Sequence, residues 1–85
     1  MEIFFTSKFD RGVRRLTRKR WEYKSLIKHK ILLLSESPSH PSLRLHKLSN
    51  KDEYALSVDQ SIRIILTRKK DTVFLLDIGS HNDVY

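Results

Sequence analysis

The chain has 85 residues, enough for one small domain and a core that buries only about 60% of the unfolded surface. It carries 17 Lys+Arg against 10 Asp+Glu, a formal net charge of +7, so a polyanion is the natural partner: nucleic acid, an acidic protein or an anionic membrane surface. There is no cysteine, which removes disulfides and thiolate metal sites from consideration. No apolar stretch approaches the roughly 18 residues that span a bilayer, and the N-terminal residues lack the pattern of a signal peptide. The expectation is a soluble, cytoplasmic protein with a single domain over residues 1–85.

The first element is a short β-rich run, Ile3–Thr6. Ser7 then offers a helix N-cap, with Asp10 three residues on. From Lys8 to Arg20 the apolar residues Phe9, Val13 and Leu16 recur at i, i+4 and i+7, one face of a helix. Arg11, Arg14, Arg15, Arg18, Lys19 and Arg20 fill the rest. A second helix is expected from about Trp21 to Glu36, with Tyr23, Leu26, Ile27, Ile31 and Leu34 on one side. Trp21 and Tyr23 are expected to pack at the helix junction. Pro38 and Pro41 end this stretch.

The second half reads as a sheet. Leu43–Leu48 alternates apolar and polar residues, and Tyr54–Val58 alternates large and small ones. Ile62–Thr67 is a β-branched run that should be central, Arg68–Asp71 a basic hairpin loop, and Thr72–Ile78 the last strand. Short links between strands imply antiparallel neighbours. The expected architecture is α+β: a short N-terminal strand, then a two-helix hairpin packed on a small antiparallel β-sheet.

Alternation also sorts candidate site residues. Leu43 and Leu45 should face the helices, which leaves Arg44 and His46 on the open face. Arg63, within an apolar strand, must either meet a carboxylate such as Asp77 or Glu53 or stand open for a phosphate. The final strand ends at Gly79 and delivers His81 and then Tyr85 at the sheet edge. Histidine titrates near neutral pH, and an aromatic ring offers a face to an unpaired base. RNA carries its own 2′-hydroxyl nucleophile, so cleavage needs only a base, an acid and a cation, with no metal or cofactor. The assignment is Arg63 on the phosphate, His81 as acid, His46 as candidate base and Tyr85 as stacking platform. His29 and His40 are explained by their helix and proline loop.

The strand motifs Leu45–Ser49, Tyr54–Val58, Ile62–Leu66 and Leu75–Tyr85 resemble those of the RelE/ParE toxin superfamily, and its YafQ-like branch in particular. The resemblance spans nearly the whole chain. It implies a RelE-like toxin fold and a type II toxin held inactive by a cognate antitoxin. It also implies a metal-independent endoribonuclease that cuts mRNA on the ribosome and inhibits translation. By this resemblance His81 matches the C-terminal catalytic histidine, Tyr85 the stacking aromatic and Arg63 the arginine at the scissile phosphate. His46 matches a histidine found just before the middle strands. Two departures stand out. Ala55 and Ser57 occupy positions where RelE-type members carry lysines, and Asp77 replaces an arginine of some relatives, so the general base stays open.

Residues Lys8–Lys30 hold ten basic side chains against Asp10 and Glu22. Arg11, Arg14, Arg15, Arg18 and Lys19 on the first helix, with Arg44 and Lys47, are therefore read as an RNA-contacting surface facing ribosomal RNA. An acidic antitoxin segment would compete for it and would fold as it binds. The toxin alone is expected to be a monomer that forms a hetero-oligomer with its antitoxin and meets no membrane. Two rival readings remain: a ParE-like, non-enzymatic inhibitor of DNA gyrase, and a cleavage-deficient RNA-binding module.

Overall fold

The structure is a computed structural model and describes residues 1–49 and 52–80. Its elements are β1 (Glu2–Phe5), α1 (Ser7–Lys19), α2 (Tyr23–Glu36), a 3-10 turn (Pro41–Leu43), β2 (His46–Lys47), β3 (Glu53–Ser57), β4 (Ile62–Lys69) and β5 (Thr72–Ser80). The strands form one sheet in the order β1-β5-β4-β3-β2, so β4 is central as its β-branched composition predicts. The expectation of an antiparallel sheet holds for four strands. β1 instead joins β5 in parallel, with Ile3 opposite Val73 and Phe4 opposite Phe74. A parallel neighbour requires a long crossover, and the helical hairpin is part of that connection.

α1 begins one residue earlier than its apolar period suggests, because Thr6 rather than Ser7 is the cap. The Thr6 hydroxyl accepts from the Phe9 N–H at 3.2 Å and donates to the Leu75 carbonyl at 2.7 Å. One side chain thus starts the helix and fastens it to β5. Phe9 is buried, and Val13 and Leu16 pack against the same core, as their spacing predicts. Gly12 lies on this face too. A Cβ built there would stand 2.8 Å from Ile78 Cγ2, so the absent side chain lets α1 approach β5 closely.

α2 begins at Tyr23, two residues later than expected. Tyr23, Ile27 and Leu34 are buried against Leu43, Leu56 and Ile64, forming one cluster between the helices and one sheet face. Trp21 does not pack at the junction: it sits in the turn and is 78% exposed. The expected strand over Leu43–Leu48 is also mostly turn. Pro41 opens a 3-10 turn, in which His40 Nδ1 accepts from the Ser42 N–H at 3.1 Å. Arg44 follows in the left-handed region at φ 46°, and the strand is reduced to His46 and Lys47, which pair with β3, with the Leu48 N–H donating to the Glu53 carbonyl at 2.8 Å. Local turn chemistry outcompetes alternation here, yet Leu43 is still delivered to the core.

The β3–β4 connection is built on Asp59. Its Oδ1 accepts from the N–H groups of Ser61 and Ile62, both at 2.8 Å, and its Oδ2 accepts from the Tyr23 hydroxyl of α2. Burial pushes the Asp59 pKa up. The hydrogen bonds from Tyr23, Ile62 and Ser61, with the nearby charge of Arg20, outweigh it and hold Asp59 below its ordinary value. The bond to Asp59 and burial both raise Tyr23. On β5, Ile65 pairs with Asp77 while Leu66 pairs with Leu75, so Leu76 is an extra residue. This bulge turns the end of β5 relative to its start.

Two outcomes follow. Gly12→Val should lower unfolding free energy in urea by about 1–3 kcal/mol through overpacking, and Ile78→Leu, which removes the Cγ2 methyl, should restore part of that loss. An unchanged midpoint for Gly12→Val would contradict close packing of α1 on β5. Tyr23→Phe should cost about 1.5–3 kcal/mol, since a bond to a charged acceptor is lost. Because Asp59 is depressed in the folded state, its contribution is complete above the unfolded carboxylate pKa of about 3.9 and disappears as pH falls through the folded value. The stability gap between wild type and Asp59→Asn, followed by denaturation from pH 7 to 2, should therefore be flat and then shrink only at the acid end.

Candidate functional site

The helices cover only one face of the sheet. On the other face, paired positions align side chains in rows: His46 opposite Ala55, Ala55 opposite Ile65, and Ser57 opposite Arg63, which in turn faces Gly79. Cross-strand partners share a face, so His46, Ser57 and Arg63 stand together although they are far apart in sequence. They line a cleft of about 680 Å³ with Lys30, Ser42, Arg44, Val58, Asp59 and Gln60. Arg44, His46 and Arg63 from the sequence reading thus converge.

Each of these residues is positioned by a local device. Arg44 reaches the cleft from the left-handed residue that ends the 3-10 turn. The His46 ring nitrogen Nδ1 lies 3.0 Å from the Arg44 carbonyl oxygen. A carbonyl only accepts, so Nδ1 carries the proton and Nε2 of the neutral ring keeps its lone pair. That tautomer suits a general base. Arg63 is half-buried, and its Nη1 donates to the Gln60 carbonyl at a long 3.5 Å. The alternative in which Arg63 pairs with Asp77 or Glu53 does not occur. Asp77 bridges Lys8 at 3.4 Å, Glu53 lies opposite Thr67, and among the described residues Arg63 meets no carboxylate.

Among the described residues the charge balance of the cleft favours an anion. Lys30, Arg44 and Arg63 line it, and the one carboxylate among its described lining residues, Asp59, already accepts three hydrogen bonds. Lys30 extends from α2 and donates to the Ser42 carbonyl at 3.1 Å. Guanidinium groups beside an imidazole lone pair can hold a phosphodiester and take a proton from a hydroxyl next to it. No group of three or more His, Asp or Glu among the described residues could hold a metal ion.

Other candidates fall elsewhere. Lys47 pairs with Tyr54 and lines a shallow groove with Asp52, Thr67 and Arg68, apart from the His46 cleft. Arg11, Arg14 and Arg18 are exposed on the outer side of α1, while Arg15 and Lys19 border a second cleft beside β5. His40 serves its turn and His29 is exposed on α2. His81 and Tyr85 lie outside the described residues; Ser80, the residue before them, pairs with Ile62 next to Arg63. Sequence reasoning missed Lys30, Ser42 and Gln60. Helical and turn patterns mark such residues only as solvated, and their placement depends on how α2 crosses the sheet.

No protein-family model matches the chain, and no curated protein matches it in sequence. Solved structures do match in shape. A metal-bound toxin from Helicobacter pylori superposes with a TM-score of 0.82 at 24% identity, over 100% of this chain and 99% of that one. YafQ from E. coli superposes with a TM-score of 0.81 at 18% identity, over 99% and 97%. YafQ in the E. coli DinJ-YafQ toxin-antitoxin complex gives 0.82 at 19% identity, over 99% and 96%. Over essentially its whole length, therefore, this chain has the fold of the RelE/ParE-like toxins, the YafQ type among them.

Proposed function

We propose that the protein is the toxin of a type II toxin–antitoxin pair and acts as a metal-independent endoribonuclease, cutting mRNA on translating ribosomes. The observation that carries this reading is the convergence of Arg44, His46 and Arg63 in one cation-lined cleft on the open face of a sheet of YafQ-like fold. The ribosome, the cytoplasmic setting and a protein antitoxin are part of the same proposal, and the likeness to YafQ supports the antitoxin. YafQ itself was solved with DinJ as a toxin-antitoxin complex. A monomeric toxin that becomes a hetero-oligomer with its antitoxin fits a surface with this excess of positive charge.

In the proposed reaction the substrate 2′-oxygen attacks the adjacent phosphorus as a base takes its proton. The bond from phosphorus to the 5′-oxygen breaks, and an acid protonates the departing oxygen. The fragments are a 2′,3′-cyclic phosphate and a 5′-hydroxyl. Arg63 neutralises charge developing on the phosphate, with Arg44 and Lys30 holding flanking phosphates. His46 is the base, its Nε2 left available by the hydrogen bond at Nδ1. His81, following Ser80 beside Arg63, is the acid, and Tyr85 stacks the neighbouring base. These last two roles rest on the resemblance of the C-terminal motif. The burial of Ala55 and the presence of Ser57 opposite Arg63 leave no lysine on β3 to act as base, which strengthens the case for His46.

Primer extension on a defined mRNA in a translating cell-free extract tests this. Wild type should produce cuts within translated codons. Arg63→Ala should reduce them by about 10²–10³-fold, and His46→Ala or His81→Ala by about 10²–10⁴-fold, with fold confirmed by circular dichroism. Growth arrest without cuts, unaffected by His81→Ala and accompanied by DNA damage, would replace this reading with a gyrase-directed one. Protection of RNA without cleavage would leave a binding module.

A further inference from the structure

The corner between α1 and α2 presents a tryptophan to solvent on a rigid mount. Trp21 is 78% exposed. The Tyr23 N–H donates to the Arg20 carbonyl at 3.1 Å, and the Lys24 N–H donates to the Trp21 carbonyl at 3.0 Å. Arg20 lies 4.8 Å over the Tyr23 ring and bridges Glu22 at 3.1 Å, while Tyr23 is anchored through its hydroxyl to Asp59. The backbone around Trp21 is thus held from both sides and tied to the sheet, yet its indole takes no part in the core.

A second cleft, of about 510 Å³, adjoins this corner between α1 and the end of β5. Lys8, Arg15, Lys19 and Arg20 line it, and Asp77, the one carboxylate among its described lining residues, is bridged by Lys8. Arg20 is committed to Glu22. Arg15 and Lys19 are exposed and have no carboxylate partner among the described residues. The two clefts share no lining residue. Ile62 borders this one with the end of β5, from Asp77 to Ser80, while Arg63 borders the other, so they flank the same end of β4.

We infer that this corner is a second binding site for single-stranded RNA, distinct from the candidate cleavage site. Arg15 and Lys19 hold backbone phosphates in the cleft, and one unpaired base stacks on Trp21. The inference rests on the RNA reading above but concerns a different cleft. Cations alone would suit any polyanion; an exposed indole on the residue after Arg20, which lines the cleft, adds a face for a ligand that carries flat aromatic groups. The backbone that carries the ring is already ordered, so stacking need freeze only the rotamers of the side chain.

The chain contains a single tryptophan, so intrinsic fluorescence reads this site directly. The full chain is titrated with a 2′-O-methyl oligoadenylate eight nucleotides long, which lacks the attacking hydroxyl and cannot be cut by the proposed reaction. The oligonucleotide should quench the tryptophan emission saturably, whereas inorganic polyphosphate should bind without quenching. By anisotropy of the labelled oligonucleotide, Trp21→Ala should weaken binding about 5- to 150-fold with an unchanged circular dichroism spectrum, and Trp21→Phe should retain most of the affinity. Lys19→Ala should lower the salt slope of binding by about 0.7. Binding with unaltered emission and full affinity in Trp21→Ala would overturn the inference. So would quenching by polyglutamate but not by the oligonucleotide, which would mark an acidic protein surface, or quenching with protein concentration alone, which would mark self-association. A chain that cuts mRNA yet shows no quench loses only this inference. One that quenches but never cuts loses only the nuclease reading.

Discussion

The bond between the Tyr23 hydroxyl and the Asp59 carboxylate joins two parts of the chain 36 residues apart, and most of the functional geometry hangs from it. On one side it anchors the start of α2 and the corner that carries Trp21. On the other it completes a turn whose Asp59 also receives the N–H groups of Ser61 and Ile62. That turn sets where β4 begins, and so where Arg63 meets the open face. A single carboxylate with three donors is held ionised despite partial burial, because the bonds outweigh the loss of hydration.

The second constraint is asymmetry of the sheet. Helices supply apolar cover for one face only, through Phe9, Ile27 and Leu34. The other face keeps Ala55 and Ile65 buried but leaves Arg63 half-buried with no carboxylate partner among the described residues. A guanidinium in that state is not a stabilising feature of the fold, since it has given up hydration without gaining an ion pair. In the proposed reaction an incoming phosphate supplies the missing partner. The same asymmetry explains why a sheet of this size exposes a cleft at all: two helices and a turn span one face, and the other is left open.

Charge is distributed to match. α1 places its apolar residues on a narrow stripe and its arginines and lysines around the rest, so cations flank the sheet end rather than spreading evenly. At moderate ionic strength surface charges act over roughly 10 Å, so the α1 cations act most strongly on the cleft that they line. Asp77, an acid where some resembling toxins carry an arginine, is neutralised by Lys8 and does not reverse that field.

Much of this was legible in the residues themselves. Apolar periods placed α1 and the buried face of α2, and β-branched Ile62–Leu66 marked the central strand. Alternation put His46 on the face away from the helices and left Arg63 between that face and an ion pair, while Arg44 reaches the cleft from a left-handed turn residue and not from a strand. These are local or periodic consequences of backbone geometry, and a single chain carries them without its partners. What the sequence did not reveal depends on contacts between distant segments. Parallel pairing of β1 with β5, the close approach at Gly12 and Ile78, and the Tyr23–Asp59 bond each join residues with no shared period. Trp21 and Tyr23 differ by two positions and read alike. Only the angle of the helix corner sends one ring into the core and the other into solvent, because packing is settled by the shape of the assembled neighbours and not by hydrophobicity alone.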